Sequence, residues 1–345
     1  MIDHFEAELC GCLKSVKCDL TPIHAFIGPN DSGKTTLLKA ICEAVNVAAR
    51  KPFVRPPQTD ATRLSIRANG VELVLGSARS SLNDKVQLYE LGDKNQFANV
   101  PAQFPGFTSE AWKNFEKYVG GGGWIARFDG DALRQPSALM PPEQVPNFFA
   151  QRGRGLPGIY DLILGRADGS FDKIQKCFRQ LFPSVKRLGL LAVSSSEKTL
   201  QIDLLDGTQV VSNGFSEGML YYLAYAAIEH LRRPALIAIE EPENGLHPAR
   251  IAEVMRILRE ISSQGTQILI ATHSPLVVNE LKPEEISVVT RNPETGTKVT
   301  PLKDTPNFAE RSKVYAPGEL WLSYADGMEE APLLGGESPM AVSKP

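Results

Sequence analysis

The sequence predicts an α/β fold: a mixed sheet with an antiparallel part and a helical insertion. Three observations predict it. An apolar run over Pro22 to Gly28 ends in glycine and leads into an amphipathic stretch, the pattern of a buried strand followed by a helix. Asn69-Gly70, a strong two-residue hairpin signal, joins two strand-like runs where a plain strand–helix–strand repeat would place another parallel strand. In the last third, apolar strands over 235–239 and 267–271 bracket a helical pattern over 248–262.

Each element follows from its local pattern. A helix is expected over 34–48, with Leu37, Leu38, Ile41 and Val45 on its apolar face. Arg63 to Gly76 reads as two strands, and Lys85 to Leu91 as a third. Residues 95–160, with four consecutive glycines from Gly120 and prolines at 136, 141, 142 and 146, read as short helices and loops. A helix is expected over 170–181, with Ser170 as its N-cap and Pro183 beyond its end. Strands over 186–194 and 200–205 are joined by Asp206-Gly207 to a third over 208–212. A helix over 217–232 is apolar nearly all round, hence buried. Ser274-Pro275 starts a short helix, serine capping and proline at its first position. Strands over 286–290 and 298–302 close the sheet, and the tail from Asp326 reads as poorly ordered. The expected division is an N-terminal α/β part over 1–94, a helical and loop-rich insertion over 95–185, a C-terminal α/β part over 186–325, and a flexible tail over 326–345.

Composition narrows the function classes. The chain has 345 residues, 42% hydrophobic and 22% charged, which excludes wholesale disorder and fibrous rods. A formal net charge of −3 argues against a basic coat for nucleic acid. Five cysteines, an odd number, do not make a disulfide scaffold and suit a reducing cytoplasm. No apolar run reaches the roughly 18 residues needed to span a bilayer, and Asp3, Glu6 and Glu8 in the first segment do not suit a secretory signal. Cys10-Gly11-Cys12 with Cys18 reads as buried thiols, because no fourth ligand has zinc-like spacing. Leu320-Trp321-Leu322 reads as a run that packs the chain end onto its own domain.

The strongest motif is Gly28 to Thr36, which fits G-x-x-x-x-G-K-[ST] between an expected strand and helix, the context of a P-loop. Glycines let backbone N–H groups converge on phosphate oxygens, and the helix start adds partial positive charge. Asn30, Gly33, Lys34, Thr35 and Thr36 are the expected binding residues: Lys34 reaches the β- and γ-phosphates, and the Thr35 hydroxyl ligates Mg²⁺. Leu236 to Glu241 is an apolar strand ending in two acids. Glu240 is expected to hold Mg²⁺ and Glu241 to polarise the attacking water, since paired buried acids need a cation nearby. His273 follows the strand over 267–271, at the strand end where open α/β sheets place ligands, and is placed to bond a γ-phosphate. Ser216 caps the helix from Glu217, and Gly218 leaves its first turn bare for an anion.

These four elements, in this order, resemble the ABC-type ATPase head, with the signature at Phe215 to Met219 and the switch histidine at His273. The wording of Glu240 to Pro248 and of Ala271 to Pro275 resembles the RecF/OLD branch of non-transporter ABC ATPases, which includes DNA-repair heads and stand-alone ATPases of anti-phage systems. The resemblance covers 22–48 and 210–280 closely. Ser216-Glu217-Gly218 departs from the transporter signature, and Glu240 stands where an aspartate is usual. Gln58, Gln87 and Gln103 remain open candidates for the Q-loop, and no aromatic residue is placed to stack on adenine.

The resemblance implies a homodimer that sandwiches ATP and Mg²⁺, with Ser216 and Gly218 of one protomer meeting the γ-phosphate held by Lys34 of the other. It also implies that Glu241 orients water and that His273 clasps the γ-phosphate. Too few residues follow Leu302 for a Toprim nuclease domain, and no heptad arms occur over 95–200. Asp129-Gly130-Asp131 reads as a turn. The leading expectation is a cytoplasmic ATPase subunit that gates a separate effector protein in phage defence, with no membrane partner. The alternative is a DNA-repair head, for which Arg50, Lys51, Arg55, Arg63 and Arg67 would face a nucleic acid. A nucleotide-binding subunit of a membrane transporter is a third reading, disfavoured by the signature.

Overall fold

A computed structural model describes residues 1–49, 63–68, 71–76, 85–90, 98–100, 110–306 and 308–325. It begins with β1 (Ile2–Cys10), β2 (Leu13–Asp19), β3 (Ile23–Ile27) and α1 (Lys34–Ala48). There follow β4 (Arg63–Ala68), β5 (Val71–Gly76), β6 (Lys85–Glu90), β7 (Ala98–Val100), α2 (Glu110–Val119) and β8 (Gly123–Ala126). Next come α3 (Gly130–Leu133), α4 (Val145–Ala150), α5 (Leu156–Gly165), α6 (Ser170–Leu181), β9 (Val185–Ala192), β10 (Lys198–Leu204), β11 (Gln209–Val211) and α7 (Glu217–Ile228). The remaining elements are β12 (Leu236–Glu240), α8 (Pro248–Ser263), β13 (Gln267–Thr272), α9 (Pro275–Asn279), β14 (Ile286–Asn292), β15 (Gly296–Pro301), α10 (Phe308–Arg311) and α11 (Pro317–Ala325).

Two compact units result. The first takes residues 1–123, 234–241 and 265 onward. It holds an antiparallel sheet, β2-β1-β4-β5-β6-β7, and a mixed sheet whose strands in this unit run β15-β14-β3-β13-β12. In the mixed sheet β14, β3, β13 and β12 are mutually parallel and β15 is antiparallel. The parallel strands read as continuous apolar runs because they are buried on both faces: Ile23 to Ile27 and Leu236 to Ile239 are all closed to solvent. Helix α1 has no helix breaker inside it, and its Leu37, Leu38, Ile41 and Val45 are fully buried. Burying each such side chain contributes about 1.5–3 kcal/mol. Gln267 ties the strands to the N-terminus: its amide accepts from Ile2 N at 3.1 Å and donates to Ile2 O at 2.8 Å.

The second unit takes residues 124–233 and 242–264. It contains a small antiparallel sheet, β11-β10-β9, and helices α3 to α8. Helix α7 forms its centre, with Leu220, Tyr222, Leu223 and Tyr225 buried. Buried tyrosines need a polar partner for the hydroxyl; Tyr160 donates to Leu223 O at 2.9 Å. Phe178 stacks on Tyr222, and the Arg250 guanidinium covers Phe182 at 4.8 Å.

The mixed sheet with an antiparallel part stands as expected from the sequence. Helix α1 begins and ends where the pattern placed it, and β4, β5, β6, β12, β13, β14 and β15 fall within a residue or two of expectation. The Asn69-Gly70 turn lies outside the described residues, but the strands it joins pair from Ala68↔Val71 to Arg63↔Gly76. Four points are corrected. The cap of α6 is Gly169, at φ 82°, with Ser170 as the first helical residue; Asp168 Oδ1 accepts from Ser170 N instead. Helix α7 ends at Ile228 rather than Arg232. Ser274 sits at the cap of α9, but its side chain makes no cap bond; the Thr272 hydroxyl accepts from Ser274 N at 2.9 Å. Asp129 caps α3 by accepting from Asp131 N and Ala132 N, where only a turn was expected. The β1–β2 hairpin and the short strands β7 and β8 carry too little alternation to be read from sequence.

One buried acid carries a consequence for stability. Glu43 lies on the inner face of α1, 8% exposed, and its Oε1 has no partner among the described residues. Burial pushes its carboxyl up from 4.5 to about 7. The unfolded chain loses this proton near pH 4.5 while the fold keeps it to about 7, so stability is full below that window and falls as pH rises through it. Thermal melting followed by circular dichroism should show the midpoint dropping by several degrees between about pH 5 and about pH 8. Glu43→Gln should flatten that slope and raise the midpoint at the alkaline end.

Candidate functional site

The P-loop leaves the C-terminal end of β3 and re-enters the chain as α1. Two residues take left-handed backbone, Asp31 at φ 63° and Gly33 at φ 105°. Glycine is required at two points by close approach. A Cβ on Gly28 would lie 2.1 Å from Val289 O on β14. A Cβ on Gly33 would lie 2.4 Å from Thr297 Oγ1 and 3.0 Å from Cys12 Sγ. The loop is therefore pressed between the β1–β2 turn and the β14–β15 hairpin. Thr297 donates its hydroxyl to Ser32 O at 2.9 Å and its N–H to Cys12 O at 2.9 Å, tying the three together.

Lys34 is 7% exposed, and its ammonium donates to Gly28 O and Pro29 O, each at 2.7 Å. The hydroxyl of Ser32 is buried without a partner among the described residues. A bare loop with a buried cation and an orphaned hydroxyl fits a phosphate chain that would supply the missing acceptors. Thr35 and Thr36 are part-exposed at the start of α1, and Asn30 is exposed.

Strand order places the other groups. β13 lies between β3 and β12, in parallel, with Thr272↔Ile27 on one side and Glu240↔Ala271 on the other. The P-loop, His273 and Glu240-Glu241 therefore leave the same end of three neighbouring strands, each about 4.8 Å from the next. Glu240 is the last residue of β12 and is 7% exposed. Glu241 follows at φ 50°, a left-handed backbone that costs a non-glycine residue about 1–3 kcal/mol. Its N–H donates to Ala271 O at 2.8 Å, which fixes the turn. That turn brings Glu241 Oε2 within 2.7 Å of His273 Nδ1. The histidine side chain is 57% exposed and the glutamate 24%.

Ser216 and Gly218 belong to the second unit. Ser216 caps α7, its hydroxyl accepting from Met219 N at 3.3 Å, and it is exposed. Gly218 lies in the first turn, with Gly245 O 3.5 Å from its would-be Cβ. The structure thus gathers Lys34, Thr35, Glu240, Glu241 and His273 at one sheet edge, and sets Ser216 and Gly218 at a helix start in the other unit. Of the cations considered for a nucleic acid, Arg50, Lys51 and Arg55 lie outside the described residues, as does the Arg63 side chain, while Arg67 is paired with Asp3. Gln58 and Gln103 also lie outside them, and Gln87 is described only by its backbone, which pairs with Val74 in the antiparallel sheet. Cys10 and Cys18 are buried, and burial pushes the Cys10 thiol up to about 11. The tail from residue 326 lies outside the described residues. Trp321 is buried against the first unit. No helix of the described residues is long and apolar enough to cross a membrane. Sequence reasoning missed Cys12 and Thr297, which brace the P-loop; one comes from the β1–β2 turn and the other from the start of β15, and only the neighbouring Gly11 and Gly296 hinted at them.

A head of an Smc protein, solved bound to the C-winged helix domain of ScpA, superposes with a TM-score of 0.58 over 87% of this chain and 97% of that one, at 14% identity. The fold is that of an ABC-like P-loop ATPase. A family profile described as "AAA domain, putative AbiEii toxin, Type IV TA system" matches residues 134–279, less than half of this ABC-like chain. A cell division ATP-binding protein, FtsE of Bacillus subtilis, is 34% identical over 58 residues, which are 17% of this chain and 25% of that protein. An ABC transporter ATP-binding/permease protein of Mycobacterium tuberculosis is 29% identical over 92 residues, which are 25% of this chain and 10% of that protein. The chain thus spans a quarter or less of the length of these curated relatives. Motif, fold and matched segments together support ATP binding of the ABC/AAA type.

The crowding at Gly33 is directly testable. Gly33→Ala should weaken binding of a fluorescent ATP analogue by about tenfold or more, the effect of 1–3 kcal/mol of local strain. Gly265→Ala serves as the control. It has a similar φ of 101° but open space where a Cβ would go, and it should leave nucleotide affinity unchanged.

Proposed function

We propose that this chain is an ATPase whose two copies close on two ATP molecules and whose opening and closing gates a separate effector protein. The observation that carries this reading is the Glu241–His273 contact of 2.7 Å at the sheet edge from which the P-loop also leaves. Lys34 would release its two loop carbonyls to bind the phosphates. Glu241 would hold the attacking water and take its proton, and His273 would bond the γ-phosphate and sense its loss. Thr35 and Glu240 would hold Mg²⁺, which supplies charge neutralisation of the phosphates when bound. Ser216, exposed, and Gly218, part-exposed, at the start of α7 would complete the site of the other copy. Two copies are needed in this reading because a signature helix start and a P-loop act across a shared nucleotide.

The description of the matched family names a toxin of a toxin–antitoxin system, which favours a role in bacterial defence over one in repair. The Smc head, solved with a fragment of ScpA bound, offers a precedent in fold for a head that takes a protein partner. The pairing of Arg67 with Asp3 removes one cation from the nucleic-acid alternative.

Glu241→Gln keeps the shape of the side chain and removes the base. Its hydrolysis rate should fall by about two orders of magnitude or more, the usual contribution of a general base. With ATP and Mg²⁺ it should elute at twice the protomer mass in light-scattering chromatography, while the parent returns to the monomer as ATP is consumed. A variant that stays monomeric under ATP and hydrolyses normally would sink this reading.

A further inference from the structure

His273 is held from the main chain by a residue far along the sequence. The indole Nε1 of Trp321 donates to His273 O at 2.9 Å. Trp321 is 4% exposed, so its N–H, which can only donate, is matched to this acceptor inside the protein rather than to water. Its helix, α11, is pressed against the helix that follows the histidine. A Cβ on Gly318 would lie 2.2 Å from Pro275 O, and Gly318 N donates to Asn279 Oδ1 at 2.8 Å. On the strand side, the Thr272 hydroxyl accepts from Ser274 N at 2.9 Å. The segment 272–275 is thus fixed at its two flanks and at the carbonyl of His273 itself.

That restraint matters because the histidine side chain is more than half exposed. Its ring must still stand 2.7 Å from Glu241 Oε2. A loop side chain with this freedom keeps a fixed position only if its backbone is fixed. We propose that Trp321 is a positioning residue for His273, and that α11 holds the switch histidine in its working orientation. This inference rests on the hydrolytic reading of the site given above.

Trp321→Phe removes the N–H donor and keeps most of the ring volume, so the fold should survive. ATP affinity should stay within a factor of about two, because the P-loop is untouched. The kcat should fall about fivefold, the effect of one lost hydrogen bond. A structural defect alone would not give the next result: in a His273→Ala background, Trp321→Phe should lower kcat no further, since both changes act through one side chain. Gly318→Ala, which drives α11 away from Pro275 without touching the indole, should reproduce the kcat loss at unchanged affinity and keeps the test open if the tryptophan variant misfolds. A kcat unchanged in Trp321→Phe while His273→Ala is impaired overturns the positioning role and leaves the hydrolytic reading standing. An equal loss in both backgrounds also overturns it. If His273→Ala hydrolyses as fast as the parent, the role of the histidine fails, and the positioning role fails with it.

Discussion

The site depends on the parallel register of three adjacent strands, β3, β13 and β12. Because they run the same way and end level, with Thr272 opposite Ile27 and Glu240 opposite Ala271, three turns emerge side by side. One becomes the P-loop, one carries the histidine, and one carries the two acids. Slipping one strand by a single residue would turn its side chains to the opposite face and separate these groups. The strand interiors are apolar except for the buried His24 of β3, which bonds Ser287 of β14, so register is fixed by burial on both faces. The polar groups of the site lie at the C-terminal ends, where the apolar sequence stops.

At those ends the structure holds conformations that the backbone would not choose alone. Asp31 and Glu241 both have positive φ without being glycine. Each is held by its surroundings: Glu241 by its bond to Ala271 O, and the P-loop by Thr297 and Cys12 pressing on Gly33. Lys34, bonded to carbonyls of its own loop, is buried in a way that a lysine tolerates only with close acceptors. Electrostatics and sterics thus act together: the loop is shaped by packing and its charge is balanced by its own backbone.

What could be read from the sequence was local. The P-loop, the strand ending in Glu240-Glu241 and the strand before His273 each declare themselves within a dozen residues, since an apolar run followed by glycine or acid has few other readings. Helix α1 was legible to the residue because its apolar spacing stops where the helix stops. The cap of α6 was misread because serine at a helix start usually caps, whereas Gly169 supplied the left-handed backbone there. The β1–β2 hairpin was missed because its inward positions include small and polar residues, among them Ala7 and Cys18. Contacts between residues distant in sequence, such as Thr297 to Ser32 or Trp321 to His273, leave almost no pattern in the sequence.

The first unit is threaded from three separate stretches, and the strand that carries His273 lies between two that are synthesised far apart in time. When β3 leaves a ribosome, neither of its sheet neighbours, β13 and β14, yet exists. The second unit, by contrast, has most of its chain in one continuous stretch and can collapse earlier. Nascent polypeptide therefore exposes the unpaired edges of β3 until late in translation, and a high separation between contacting residues makes the final closure slow. A chain released early would carry an intact phosphate-loop sequence without the parallel neighbours of β3 that hold it in shape.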